Sequence, residues 1–138
     1  MKTLITCLVT LTLLIAGCKS NSAADDNVKI SNKTNKNIVC LLGYNYPDLS
    51  FSFTNKQAVL AKLDKFEVDG GQSKAIDTLG LCNKEIWDKH IKDGSMLMLF
   101  VFDKNKLASA DKLEDALLER YYFSFIQLMK TNGLITIK

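Results

Sequence analysis

Few side chains in this 138-residue chain are able to do chemistry, which has one His, four Cys and one Trp. An imidazole-based zinc site needs two or three His, so His90 alone argues against that class, and no metal or cofactor is expected. A hydrolase would combine His90 with a Ser and an Asp. The sequence has no Gly-x-Ser-x-Gly elbow, and Gly94-Ser95 reads as the opening of a strand. His90 falls near the end of a helical stretch, where the helix dipole favours a cation, so its plainer reading is structural. No catalytic residue is assigned and a non-enzymatic chain is expected. Cys40 and Cys82 lack Cys-x-x-Cys spacing and are not a redox pair. Two readings of them stand open. They form one disulfide, closing a loop of about 40 residues and stabilising by about 3 to 4 kcal/mol, or they pack as two small hydrophobes. Asp103-Lys104-Asn105-Lys106 echoes the start of a calcium loop but lacks the further oxygen ligand, the Gly and the closing Glu, so it reads as a turn.

Aromatic residues gather around the only proline. Tyr44, Tyr46, Phe51 and Phe53 flank Pro47, with Asp48 next to it. Aromatics exposed at a turn stack on a glycan or a peptide, whereas alternating aromatics otherwise pack beneath it. Tyr44, Tyr46, Pro47 and Asp48 are therefore the candidate binding loop. Lys33 and Lys36 fall in an Asn-rich turn that reads as a solvated tip, although lysines there also suit anionic headgroups.

The N-terminus gives the sharpest signal. Lys2 precedes an apolar run from Leu4 to Ala16, and the run ends in Ile15-Ala16-Gly17-Cys18. About 13 residues are too few for a stable span of the bilayer, which takes roughly 20, so residues 1–17 read as a secretory signal peptide. Small residues before a Cys, after Leu14 and Ile15, look like the lipobox of bacterial lipoproteins. Cys18 would then become the first residue and carry the lipid, and several acyl chains on one residue anchor stably. Lys19 rather than Asp follows Cys18, which favours an outer-membrane destination. Residues 18–27 are polar without large apolar side chains and read as a flexible tether of roughly 16 to 19 Å root-mean-square length. Processing removes one lysine and no acid, so the mature chain stays close to neutral and offers no footprint for nucleic acid.

Residues 28–138 must hold the candidate loop. Composition, 47% hydrophobic and 24% charged, is that of a single globular domain. Val28-Lys29-Ile30-Ser31 and Ile38-Val39-Cys40-Leu41-Leu42-Gly43-Tyr44 read as strands joined in a hairpin by the turn at residues 32–37. Pro47 at the second position of a Tyr46-Pro47-Asp48-Leu49 turn should stop the second strand. Thr54-Asn55-Lys56-Gln57 has capping-box spacing before Ala58, Val59, Leu60 and Leu63, predicting a short helix. Asp69-Gly70-Gly71 is a turn, and residues 73–79 alternate as a strand. Asn83 caps a helix over residues 84–92 with Ile86, Trp87, His90 and Ile91 on one face. Met96-Leu97-Met98-Leu99-Phe100-Val101-Phe102 is apolar at both parities, which predicts a central strand covered on both faces. A short helix through Leu118, a strand at 121–123, a helix boxed by Ser124 and Gln127, and a last strand at 134–137 complete the chain. The expectation is an α+β fold, a mainly antiparallel sheet or sandwich with short peripheral helices.

In order, the Asn-rich turn, Tyr44-Asn45-Tyr46-Pro47-Asp48, Ile86-Trp87 before the Phe-Val-Phe-Asp strand end, and Glu119-Arg120-Tyr121-Tyr122-Phe123 with Asn132 and Ile135-Thr136 resemble small lipoproteins of unknown function from Bacteroidetes. The resemblance covers nearly all of the mature chain and departs where many such proteins carry a Trp and this one has Gly133 and Leu134. It implies an envelope location and this fold, and no activity. The expected partners are the membrane, through the lipid on Cys18, and an envelope protein. Three roles remain: a non-enzymatic binding or assembly-support domain, an inhibitor or immunity-type protein blocking an envelope enzyme with a loop such as Tyr44 to Ser52, and a small hydrolase using His90 with a Ser and an Asp.

Overall fold

The computed structural model describes residues 26–48, 56–76, 78 and 80–138. In chain order the elements are β1 (Lys29–Asn32), β2 (Ile38–Gly43), α1 (Lys56–Leu60), α2 (Leu63–Phe66), β3 (Glu67–Val68), β4 (Ser73–Ala75), α3 (Lys84–His90), β5 (Leu97–Asp103), α4 (Lys104–Ser109), a 3-10 turn (Leu113–Ala116), β6 (Leu117–Phe123), α5 (Phe125–Lys130) and β7 (Leu134–Ile137). The strands form two sheets. One is fully antiparallel in the order β3-β2-β5-β6. The other runs β4-β1-β7, with β1 antiparallel to β4 and parallel to β7. The chain is thus a small α+β domain, mostly antiparallel, as its pattern of short strands and short helices predicts.

The two-parity strand explains the layering. All of β5 is buried between β2 and β6, and its alternate residues enter two separate cores. Leu97, Leu99 and Val101 pack with Cys40 and Leu42 of β2 against Ile30 of β1, Ile135 and Ile137 of β7, Trp87 of α3 and Leu128 of α5. Met98, Phe100 and Phe102 pack on the opposite face with Val39 and Leu41, under Val59 of α1, Leu107 of α4 and Leu113 and Ala116 of the 3-10 turn. Burying each Leu, Met or Phe side chain contributes about 2 kcal/mol, so the central strand is the main apolar investment of the fold.

Several elements differ from their sequence expectation. β1 and β2 do not form a hairpin, because they belong to different sheets. Asn32, fully buried, redirects the chain: its Nδ2 donates to the carbonyls of Lys36 (2.7 Å), Val68 (3.0 Å) and Asp69 (3.1 Å), while its Oδ1 accepts from the backbone N–H (3.0 Å) and hydroxyl (2.7 Å) of Thr34. β2, apolar on both faces, needs covering layers on either side, and a two-stranded ribbon with β1 would leave it bare. Asp103 caps α4 instead of forming a simple turn, its carboxylate accepting from the N–H groups of Asn105 (3.0 Å) and Lys106 (3.2 Å). The helix expected through Leu118 is a 3-10 turn ending at Ala116, with β6 following directly. Two residues read as tether, Asp26 and Asn27, are docked on the domain. Asn27 Oδ1 accepts from the N–H groups of Thr78 and Gly80 and from the Thr78 hydroxyl, all at 3.3 Å, and Cys82 N donates to Asp26 O at 2.8 Å. Residues 77 and 79 of the strand expected over 73–79, and Thr54 of the expected capping box, lie outside the described residues.

Candidate functional site

β2 leaves its sheet at Gly43 and the chain reverses through residues 45–48, where Asp48 N donates to Asn45 O at 2.8 Å. The Tyr46-Pro47 peptide is cis and Pro47 takes the third position of this turn, one place later than expected. The turn is tied to its surroundings at Tyr46. The Ser95 hydroxyl donates to the Tyr46 carbonyl at 2.9 Å, and the Tyr46 ring meets Tyr122 of β6 edge-on, 5.7 Å between centroids. Tyr44 and Tyr46 are half-buried, each leaning on one of the two cores, whereas Asn45, Pro47 and Asp48 are exposed. The two rings pack in part on the cores and keep part of their surface open, and the turn residues Asn45, Pro47 and Asp48 face solvent. Phe51 and Phe53 lie outside the described residues.

The opposing wall comes from α3 and the turn after it. Asn83 caps α3 as its position predicts, its Oδ1 accepting from Glu85 N (3.0 Å) and Ile86 N (3.4 Å). Trp87 and Ile91 anchor the helix in the core, but His90, expected on the same face, is exposed. His90 is the last helical residue, and the chain turns to extended backbone at Ile91, which carries Ile91 into the core and leaves His90 at the exposed helix end. Past the helix, Ser95 N donates to Lys92 O at 2.9 Å around Gly94, whose φ of +75° suits glycine. This turn brings His90, Lys92 and Ser95 to the loop at residues 44–48.

Between the two walls lies a cleft of about 230 Å³, lined by Tyr44, Asn45, Tyr46 and Asp48 on one side and His90, Lys92 and Ser95 on the other. Three of the four candidate loop residues thus share a cavity with the single His. Asn45, Lys92 and Ser95 lie outside the candidate set: Asn45 stands only within the Tyr44-Asn45-Tyr46-Pro47-Asp48 stretch, Gly94-Ser95 reads as the opening of a strand, and no sequence signal singles out Lys92. The Ser95 hydroxyl donates to the Tyr46 carbonyl, and His90 and Asp48 line the same cleft from opposite walls. The cleft sets phenol, amide and carboxylate groups opposite imidazole and ammonium.

Other hollows are internally satisfied or lack a clear partner chemistry. A shallow one of about 340 Å³ near β3 and β4 is crossed by Lys74, whose Nζ donates to the carbonyls of Asp64 and Glu67. A groove of about 290 Å³ between α3 and α5 has Trp87 and Phe125 edge-on at 5.4 Å, with Lys84 Nζ 5.6 Å above Phe125. Among the described residues no group of acidic, His and Cys side chains is arranged to hold a metal ion, and no helix is long and apolar enough to cross a membrane. Lys36 of the Asn-rich turn lies 3.8 Å from the Asp103 carboxylate.

Of the thiols, Cys18 lies outside the described residues, and Cys40 and Cys82 are both free and buried, so the disulfide left open by the sequence is not formed. Cys40 sits in β2 opposite Val101, and burial pushes its thiol up to about 12. Cys82 is also raised, by burial first and by the Asp26 carboxylate second, with Lys29 opposing. It packs against Gly133, where a Cβ would stand 2.5 Å from its sulfur. Raised pKa values keep the thiolate form of both scarce near neutral pH. Tyr121 of β6 is likewise pushed up to about 12, by burial, by donating its hydroxyl to Glu119 and by the charge of that carboxylate. No protein-family model, curated protein or solved structure matches the chain.

Proposed function

We propose that the chain is a lipid-anchored binding domain of a bacterial cell envelope, held to the outer membrane by acyl chains on Cys18 and recognising an envelope component with the turn at residues 45–48. The anchor half of this reading rests on the sequence: a positive start, a short apolar run and a Cys after small residues. The recognition half rests on one observation. Asn45, Pro47 and Asp48 are exposed on a turn whose middle is fixed by the Ser95 hydroxyl and by Tyr122, and such a prepared surface loses little freedom when it binds. An inhibitor or immunity-type role is a narrower form of the same reading, with an envelope enzyme as the component bound.

The test separates anchor from loop. Cys18→Ser is expected to move the protein from the membrane to the soluble fraction. When that soluble protein is added back to envelope fragments and sedimented, retention should drop about tenfold once Asn45→Ala and Asp48→Ala are introduced together. Unchanged membrane retention of Cys18→Ser contradicts the anchor, and retention that ignores the loop changes contradicts the recognition site.

A further inference from the structure

We propose that the cleft between the 45–48 turn and the His90–Lys92 wall takes a single saccharide unit, an uncharged pyranose of an envelope glycan; the proposal deepens the recognition reading above and rests on it. The first argument is the lining. Every described residue around the cleft ends in a hydroxyl, amide, carboxylate, imidazole or ammonium group, and none is aliphatic. On these described residues a polyhydroxyl ring finds donors and acceptors on both walls. Asp48 and Asn45, both exposed on the turn, bring carboxylate and amide oxygens that accept from adjacent hydroxyls in addition to the contacts they already make, and Lys92 donates from across the cleft. The half-buried phenols of Tyr44 and Tyr46 add aromatic surface for the C–H face of the ring.

The second argument is charge. Asp48 faces His90 and Lys92, so the cleft carries both signs and does not concentrate positive charge as a phosphate or sulfate site does. The third is size and stiffness. About 230 Å³ has room for one hexose-sized ring and little more, and the Ser95 and Tyr122 contacts hold the turn in place before binding. A ligand recognised through exchangeable hydrogen bonds gains little from each, so a wall already in position decides whether it binds at all.

The experiment is a titration of the isotope-labelled full-length chain, kept in a sugar-free zwitterionic detergent, followed by backbone amide NMR. Probes are the methyl glycosides of glucose, galactose, mannose and N-acetylglucosamine and their disaccharides, with a tetra-alanine peptide and inorganic phosphate as comparison ligands. The expected result is saturable movement of the Asn45, Asp48, Lys92 and Ser95 signals with at least one saccharide in the millimolar range. Asp48→Ala should weaken that binding about tenfold while the rest of the spectrum stays in place. If Asp48→Ala disturbs the spectrum widely, Asn45→Ala at the exposed apex supplies the same comparison. Binding that is equal in wild type and variants overturns the site. Movement with peptide or phosphate and with no saccharide overturns the ligand class and leaves the recognition turn standing. Silence with every probe, while add-back retention still depends on residues 45 and 48, also overturns the saccharide and points to a protein surface. Silence together with loop-independent retention overturns both readings.

Discussion

Single residues in this chain are set mainly by what surrounds them, and Cys40 is the clearest case. Its thiol is fully buried in β2 and holds its proton up to about 12, against 9.0 for an open thiol. A group whose pKa is raised on folding binds its proton more tightly in the native state. Its contribution is therefore complete below pH 9 and is lost as pH climbs toward 12. The loss over that window is about 4 kcal/mol, and about half of it should be visible by pH 10.5. Urea unfolding at pH 8 and pH 10.5 is expected to show wild type losing about 2 kcal/mol more than Cys40→Ala. Equal losses would place the Cys40 sulfur in contact with water. Residue chemistry was only partly readable beforehand. The sequence left Cys40 and Cys82 open between a bond and two packed thiols, because pairing is a matter of distance between β2 and the turn before α3, which spacing along the chain does not encode.

At the scale of elements, capping residues were the most legible feature. Asn83 and the Ser124–Gln127 pair do what their spacing says, because a cap is a contact made within three residues. The central strand was legible for a related reason: apolar residues at both parities demand two covers wherever the covers come from. The hairpin expected between β1 and β2 was not, since the choice between local pairing and separate sheets depends on β5 and β7, far downstream in the chain. Asn32 is where that choice is enforced. Its two amide hydrogens serve three carbonyls, and its oxygen serves Thr34. Asn32→Ala should strip the buried Val68 carbonyl of this donor and lower unfolding stability by about 3 kcal/mol in a denaturant titration. A change below about 1 kcal/mol would mean that the 32–37 segment is held by its backbone alone. Asn32→Asp keeps the acceptor and loses the donors, so it should resemble the alanine variant.

On the scale of the whole molecule, the described domain has two ends. Asp26 docks beside Cys82, where the chain from Cys18 arrives, and β5 runs from the Ser95 turn at the cleft to Asp103 and α4 at its far end. Along β5 six residue-to-residue steps of about 3.4 Å put the cleft end and the α4 end roughly 20 Å apart. The candidate site was half legible at this scale. Tyr44, Tyr46 and Asp48 stood out through their proline, but their meeting with His90, Lys92 and Ser95 is made by the α3–β5 connection folding back on β2, a tertiary event with no local signature. For that reason the sequence alone separated the histidine from the loop that it faces.

The most direct test uses the two ends against each other. A photo-crosslinking residue placed at Asn45, and separately at Lys106 of α4, is activated in living cells that make the protein, and the joined species are identified. The account predicts one discrete envelope component captured from position 45, a glycan or a single protein, and no such capture from position 106. Equal or diffuse labelling from both positions would contradict it, because the 45–48 turn would then be ordinary surface.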